Sequence, residues 1–268
     1  MIPRFLACLC VTVVIASSAA AQSSGLRRLT DRDDLLGWEA VGRLEIGEGG
    51  FCTATLIAPD LVLTAAHCVV DGRQKTDPSL LQFRAGLRDG VAVAERGIAA
   101  IAVPRQYRRM PDGHIADVLF DVALLRLSEP ITSTQADPFV LHEGAVRGRE
   151  ISVTSYGQDR AEALSRQERC NIVAEDRSLM AFDCQVTFGS SGAPVFVKHG
   201  DRGRILSIIS RGKRRGEGVV SVGMRLPELV ATLKSDLRQQ AMAVPGPGMR
   251  RVRIGDRAAP AGAKFVRP

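Results

Sequence analysis

From Trp38 to about residue 225 the chain is a succession of short apolar or alternating runs cut by turn residues. They read AVGRLEI, FCTATLIA, LVLTAA, LLQFRAG, VAVAERGIAAIAV, VALLRL, ISVTSYG, CNIVAED, LMAFDCQV, APVFVKHG, ILSIISRG and GVVSVGMRL. Runs this short, separated by Pro59-Asp60, Gly86, Gly90, Pro104, Gly113, Gly157, Gly203 and Gly216, are strand and turn signals. At least ten strands with no helical period among them predict an all-β molecule, built as barrels or as a sandwich. Residues 128–147 are the expected crossover between two halves.

One helix is predicted, over 226–240, where Leu226, Val230, Leu233 and Leu237 form an apolar stripe and Pro227 suits the first turn. It should pack on a barrel. Beyond it, 241–268 is rich in Pro, Gly and Arg, with Arg250, Arg251, Arg253, Arg257, Lys264 and Arg267 against the single acid Asp256, which predicts a disordered basic tail. With 45% hydrophobic and 24% charged residues, collagen, low-complexity disorder and a polytopic membrane protein are excluded.

At the start, Arg4 precedes an apolar run over 5–15 and the small-residue site Ala19-Ala20-Ala21, the pattern of a secretory signal peptide over 1–21. The run is shorter than the roughly 20 residues a spanning helix needs, so no membrane association is expected after cleavage near Ala21, and a secreted or periplasmic location is. Residues 22–37, polar and mixed in charge, predict a flexible leader with little structure. The protein remains basic without its signal, because only Arg4 is lost from a formal net charge of +7.

Signal removal takes Cys8 and Cys10 and leaves Cys52, Cys68, Cys170 and Cys184. Four cysteines in an exported chain suggest two disulfides out of three connectivities, of which the sequence-local pairing, Cys52 with Cys68 and Cys170 with Cys184, is adopted here. A zinc site competes, but Cys68 directly follows His67 and adjacent side chains rarely aim at one ion. No metal and no cofactor are expected.

Three segments carry chemistry: Thr64-Ala65-Ala66-His67-Cys68, then Asp121-Val122-Ala123-Leu124-Leu125, then Gly189-Ser190-Ser191-Gly192-Ala193-Pro194. A serine hydroxyl is a poor nucleophile at neutral pH, so an imidazole must take its proton and a carboxylate must orient the imidazole. In this order the segments resemble the chymotrypsin-like (trypsin-like) serine peptidases, over about 38–225, with CTATLIAPDLVLTAAHCV the most specific stretch. The resemblance implies two six-stranded Greek-key β-barrels, 38–130 and, with the crossover, 131–225, with the site in the cleft between them. It implies catalysis by His67, Asp121 and Ser191, an oxyanion hole from the N–H groups of Gly189 and Ser191, and a Cys52–Cys68 bridge behind the histidine. Asp121 is preferred to Asp112 and Asp117 because Val-Ala-Leu-Leu follows it directly.

Departures from the family pattern also carry information. Animal members place an aspartate just before the nucleophile to pair with a new N-terminus, whereas here Ser190 stands there and no I-V-G-G-like start precedes Trp38. Zymogen activation by that ion pair cannot operate, and the sequence is similar to the exported bacterial branch that includes glutamyl endopeptidases. Folding and signal removal are expected to suffice for activity; a form starting at Gln22 that is inert until cut within 22–38 would overturn this.

The position of the trypsin pocket aspartate is Gln185, followed by Val186 and Thr187, so preference for Lys or Arg is not supported; a shifted loop would bring in Asp183. Ser210 and Gly212 fall where the family has a pocket wall. The basic run Arg211, Lys213, Arg214 and Arg215 is read as a solvated loop, and nucleic acid is not an expected partner with only 4% aromatic residues. His114, His142 and His199 have no motif around them. The expected partner is a protein or peptide substrate, and a monomer is expected. The competing reading is a catalytically silent binding protein on the same fold; a periplasmic quality-control protease lacks the chain length for a PDZ domain.

Overall fold

The computed structural model describes residues 25–71, 74–108, 115–146, 148–200, 202–215 and 218–243. The signal segment, with Cys8 and Cys10, as well as Asp112, His114 and the tail from 244 onward, lies outside the described residues.

Strands β1 (Val41–Ile46), β2 (Gly50–Ala58), β3 (Leu61–Thr64), β4 (Leu81–Ala85), β5 (Ala94–Ala102) and β6 (Ala123–Leu127) close into an antiparallel barrel in the order β1-β2-β3-β6-β5-β4. Alternation and register put Leu44, Leu56, Val62, Phe83 and Leu125 on one face, in its interior, fully buried. The second unit holds β7 (Glu150–Ser155), β8 (Ser165–Asp176), β9 (Leu179–Phe182), β10 (Pro194–His199), β11 (Arg202–Ile208), β12 (Arg211–Arg215) and β13 (Gly218–Met224). Their order is β11-β10-β7-β8-β9-β13-β12. This sheet curls into a half-barrel in which β11 and β12, the two ends, are not paired to each other. The chain switches partners at the junction: Ile209 N–H donates to Ala193 C=O, whereas Ser210 N–H donates to Val222 C=O. The two-barrel architecture expected above is observed, with the second barrel in the form of a curled half-barrel.

The larger hydrophobic cluster spans both units, and the second unit has a further cluster of its own around Cys170 and Cys184. Trp38, Phe139 from the crossover and Phe196 from β10 stack with centroids 4.7 to 5.6 Å apart, and Phe139 N–H is held by Leu56 C=O of β2. The C-terminal helix spans Pro227–Ala243, ending three residues beyond the predicted end at 240, and lays Val230, Leu233 and Leu237 on β5 and β6 of the first barrel. A second helix, Ile115–Phe120, was not predicted; it delivers the chain to Asp121.

The leader departs from expectation. Within its described part, Arg27 and Arg28 pair with Arg166 and Ser165 of β8, a short helix forms over Arg32–Leu35, and Leu29 and Leu35 are buried. Arg27 pairs with Asp34 and Arg28 with Asp89. The four leucines of this polar stretch give no sustained periodicity to read, yet Leu29 and Leu35 find the core.

Cys52–Cys68 and Cys170–Cys184 are disulfide-bonded, so neither of the Cys-containing clusters, with His67 or with Asp183, offers thiolates to a metal. Among the described residues no helix is long and apolar enough to cross a membrane. Loop-closure entropy gives each bridge about 3 kcal/mol. Replacing Cys170 and Cys184 by serine should lower the unfolding free energy in urea by roughly 2–5 kcal/mol, and an unchanged midpoint would show that the bridge contributes nothing.

Candidate active site

His67 sits in a 3₁₀ turn, Ala66–Cys68, directly after β3, and the Cys52–Cys68 bridge ties that turn to β2. Asp121 lies between the helix Ile115–Phe120 and β6, which pairs with β3 through Thr64 and Ala123. Adjacent strands thus bring the two residues together. Asp121 Oδ1 accepts the His67 backbone N–H at 2.9 Å and Oδ2 meets His67 Nδ1 at 2.8 Å. Ser210 Oγ donates to the same Oδ2. Burial works to raise the Asp121 carboxyl, but the hydrogen bonds from His67 and Ser210 outweigh it and hold the group below the ordinary carboxylate range. A fully buried carboxylate with three donors is a fixed negative charge that orients the ring.

The loop before β10 carries both serines. Ser190 is fully buried and its Oγ is occupied: it donates to Tyr156 C=O at 3.0 Å and receives Arg160 Nη2 at 3.1 Å. Ser191 is only half-buried, which separates the residue that braces the loop from the one open to a reactant.

Two peptide planes in this loop are locked by their carbonyls. Phe188 C=O accepts Gln158 N–H at 2.6 Å and Ser190 C=O accepts Ala193 N–H at 3.0 Å. A trans peptide points its N–H opposite to its C=O, so the N–H groups of Gly189 and Ser191 are turned away from those partners. Among the described residues neither N–H has an acceptor.

Thr53, fully buried on β2, joins the two units at this point. Its N–H donates to Ser191 C=O at 2.9 Å, its Oγ1 donates to Gly189 C=O at 2.9 Å and accepts Tyr156 N–H at 3.0 Å, and its C=O accepts Thr64 Oγ1 at 2.9 Å. One residue on the histidine's barrel thereby fixes both ends of the Gly189–Ser191 stretch. Thr53 was not predicted, because a threonine in a strand carries no local signal of such a role. Thr53→Val should lower kcat on a peptide substrate by roughly 100-fold with little change in KM, since displacing a reacting group by about 1 Å costs that much. Thr53→Ser should restore most of it. Equal activity in the valine variant would remove the hydroxyl from the account.

Arg160 was also missed. Its guanidinium donates to Ser155 C=O, Ser155 Oγ and Ser190 Oγ, with no acid against it among the described residues, and burial pulls its pKa down to about 10. A cation accordingly does brace the residue before Ser191, but it comes from an internal side chain and not from an N-terminus.

The expected pocket residues divide. Asp183 is not in a pocket: its carboxylate accepts the Asn171 backbone N–H at 2.5 Å and Nδ2 at 3.0 Å. Gln185 is exposed, with its N–H on Gln167 Oε1 at 2.7 Å. Ser210, assigned to the pocket wall from its position, turns its side chain to Asp121 and supports the dyad. Val186 and Gly212 face each other. His142 and His199 are elsewhere on the surface, His142 Nε2 near Ala145 C=O and His199 in β10.

Comparison with known proteins agrees with this architecture. The fold resembles a Glu endopeptidase solved with MPD (TM-score 0.66, 18% identity, 81% of this chain and 98% of the other). It also resembles the protease Anisep from Arthrobacter nicotinovorans (0.63, 16%, 79% and 98%). A thermostable serine protease, AL20, from an extremophilic microorganism matches at 0.59 (18%, 70% and 91%). The family model described as trypsin-like peptidase domain matches residues 52–204. Matched over more than half of its length, this chain belongs to the trypsin-like peptidase domain family of serine endopeptidases.

Proposed function

We propose that the chain is an exported serine endopeptidase in which Ser191 attacks the scissile carbonyl, His67 takes and returns the proton, and Asp121 orients His67. The N–H groups of Gly189 and Ser191 receive the oxyanion. The observation that carries this reading is the conjunction at Thr53: the loop with the two unpaired N–H groups is clipped to the barrel that holds the His67–Asp121 pair. Donors aimed where charge develops are worth most when fixed beforehand, about 2.7–4 kcal/mol for one of them. The steps balance: the serine proton moves to His67 Nε2 as the C–O bond forms, then passes to the leaving amine as the C–N bond breaks. Water repeats the sequence to release the acyl group from Ser191.

Two disulfides favour an oxidising compartment, in keeping with the predicted signal peptide. The docked leader, with Leu29 and Leu35 in the core, argues that cutting within it would cost packing, so activity is assigned to the form that begins at Gln22. Protein and peptide chains are the substrates the family implies. Purified protein from Gln22 should hydrolyse casein, and Ser191→Ala should not. Equal hydrolysis by the two would place the activity elsewhere, and a folded, inert wild type would favour the silent binding protein.

A further inference from the structure

We propose that the primary pocket accepts only small, uncharged side chains immediately before the scissile bond, and that Val186 sets this limit. The inference rests on the peptidase reading above and names its substrate class. Two stretches flank Ser191. Residues 185–188 lead into the nucleophile loop, and residues 209–212 are bound alongside it, with Gly192 N–H on Ile209 C=O at 2.7 Å and Ile209 N–H on Ala193 C=O at 2.9 Å. On the peptidase reading, a side chain on the acyl side of the scissile bond enters between these stretches.

That gap is bridged. A Cβ placed on Gly212 would lie 2.6 Å from Val186 Cγ2 and 3.3 Å from Val219 Cγ1, so the valine methyl already touches the glycine backbone across the slot. Gly212 is therefore not a sign of an open wall; it makes room for Val186. The valine is not a loose flap either, because it packs against the cluster formed by Cys170, Cys184 and their buried neighbours, and a β-branched side chain has few rotamers to retreat into. A side chain longer than one or two carbons must displace it.

Among the described residues, neither Asp183 nor Arg160 is placed to compensate a charged guest. Asp183 is held by Asn171, and the Arg160 guanidinium is turned to Ser155 and Ser190, on the side of Gly157 and Thr187. A Lys, Arg, Asp or Glu side chain inserted between these stretches would be desolvated without either of these groups as a partner, which is unfavourable.

The test is a series of peptide p-nitroanilides differing only in the residue before the nitroanilide: Ala, Ser, Leu, Phe, Lys and Glu. Wild type should favour Ala or Ser by at least about tenfold in kcat/KM, the scale on which apolar pockets discriminate by size. Val186→Gly should shift the ratio toward Leu and Phe by about tenfold or more, and Val186→Ala, which keeps a side chain in the core, should shift it less in the same direction. Wild-type preference for Leu, Phe, Lys or Glu, or an unchanged profile in a folded Val186→Ala, would overturn the inference. Labelling by a fluorophosphonate separates the two claims: a labelled enzyme with the wrong profile sinks the pocket alone, and an unlabelled, inert wild type sinks the peptidase reading and this inference with it.

Discussion

Asp121→Asn should leave the protein folded and lower kcat roughly ten-thousand-fold, the scale of this substitution in a serine triad. The hydrogen bonds dictate why. Asp121 Oδ1 faces the His67 backbone N–H, a donor that cannot be reversed, so the asparagine oxygen must stay there. Its NH₂ group then occupies the place of Oδ2, facing His67 Nδ1 and Ser210 Oγ. Opposite a donor, Nδ1 must be the acceptor, the ring proton moves to Nε2, and the nitrogen meant to receive the Ser191 proton is already protonated. Ser210 can turn its hydroxyl to accept, so the fold loses little.

The same carboxylate carries a pH dependence. Its folded pKa is lowered, so its ionised form stabilises the fold above the ordinary carboxylate range, and that contribution is lost as the pH falls through the folded value. Stability of the wild type should therefore fall below about pH 4, and the asparagine variant should show a shallower slope. Activity within tenfold of wild type in Asp121→Asn would contradict the role given to the dyad.

Gly192→Ala should have the largest effect on the fold among single changes near the site. Gly192 has φ +78°, which an alanine resists, and a Cβ there would lie 2.3 Å from Thr53 C=O and 2.3 Å from Thr64 Oγ1. The carbonyl belongs to a barrel strand and cannot yield. The loop must move instead, breaking the Thr53 N–H bond to Ser191 C=O. Backbone strain and overpacking together should cost roughly 2–5 kcal/mol, and activity should fall at least about 100-fold. Urea unfolding and peptide hydrolysis, measured on the same sample, check both; wild-type values for either would mean that the loop is not held against β2 as described.

How far this was legible depended on whether a residue's task is encoded locally. Strands were visible because a strand's alternation lies in its own residues, and His67 was visible because TAAHC is a local string. The Cys52–Cys68 and Cys170–Cys184 pairing agrees with the sequence-local choice. Thr53, Arg160 and the side-chain direction of Ser210 were not readable, since each acts on a partner 89 to 136 positions away or lies within a turn of ordinary composition. The leader misled for a related reason: Leu29 and Leu35 bury against a strand and a barrel that the leader's own composition does not announce. The helix Ile115–Phe120 is too short for a periodic signal. Gln185 and Ser210 were assigned by offset, and an offset does not say which way a side chain turns.

The central claim is that Ser191 is an activated nucleophile. Fluorophosphonate labelling of the purified protein, followed by mass-spectrometric mapping of the modified peptide, tests it most directly. The account predicts one adduct, on Ser191, absent in Ser191→Ala and in His67→Ala while Ser190→Ala, if folded, is still labelled. A folded protein that takes no label, or an adduct on any other residue, would contradict it.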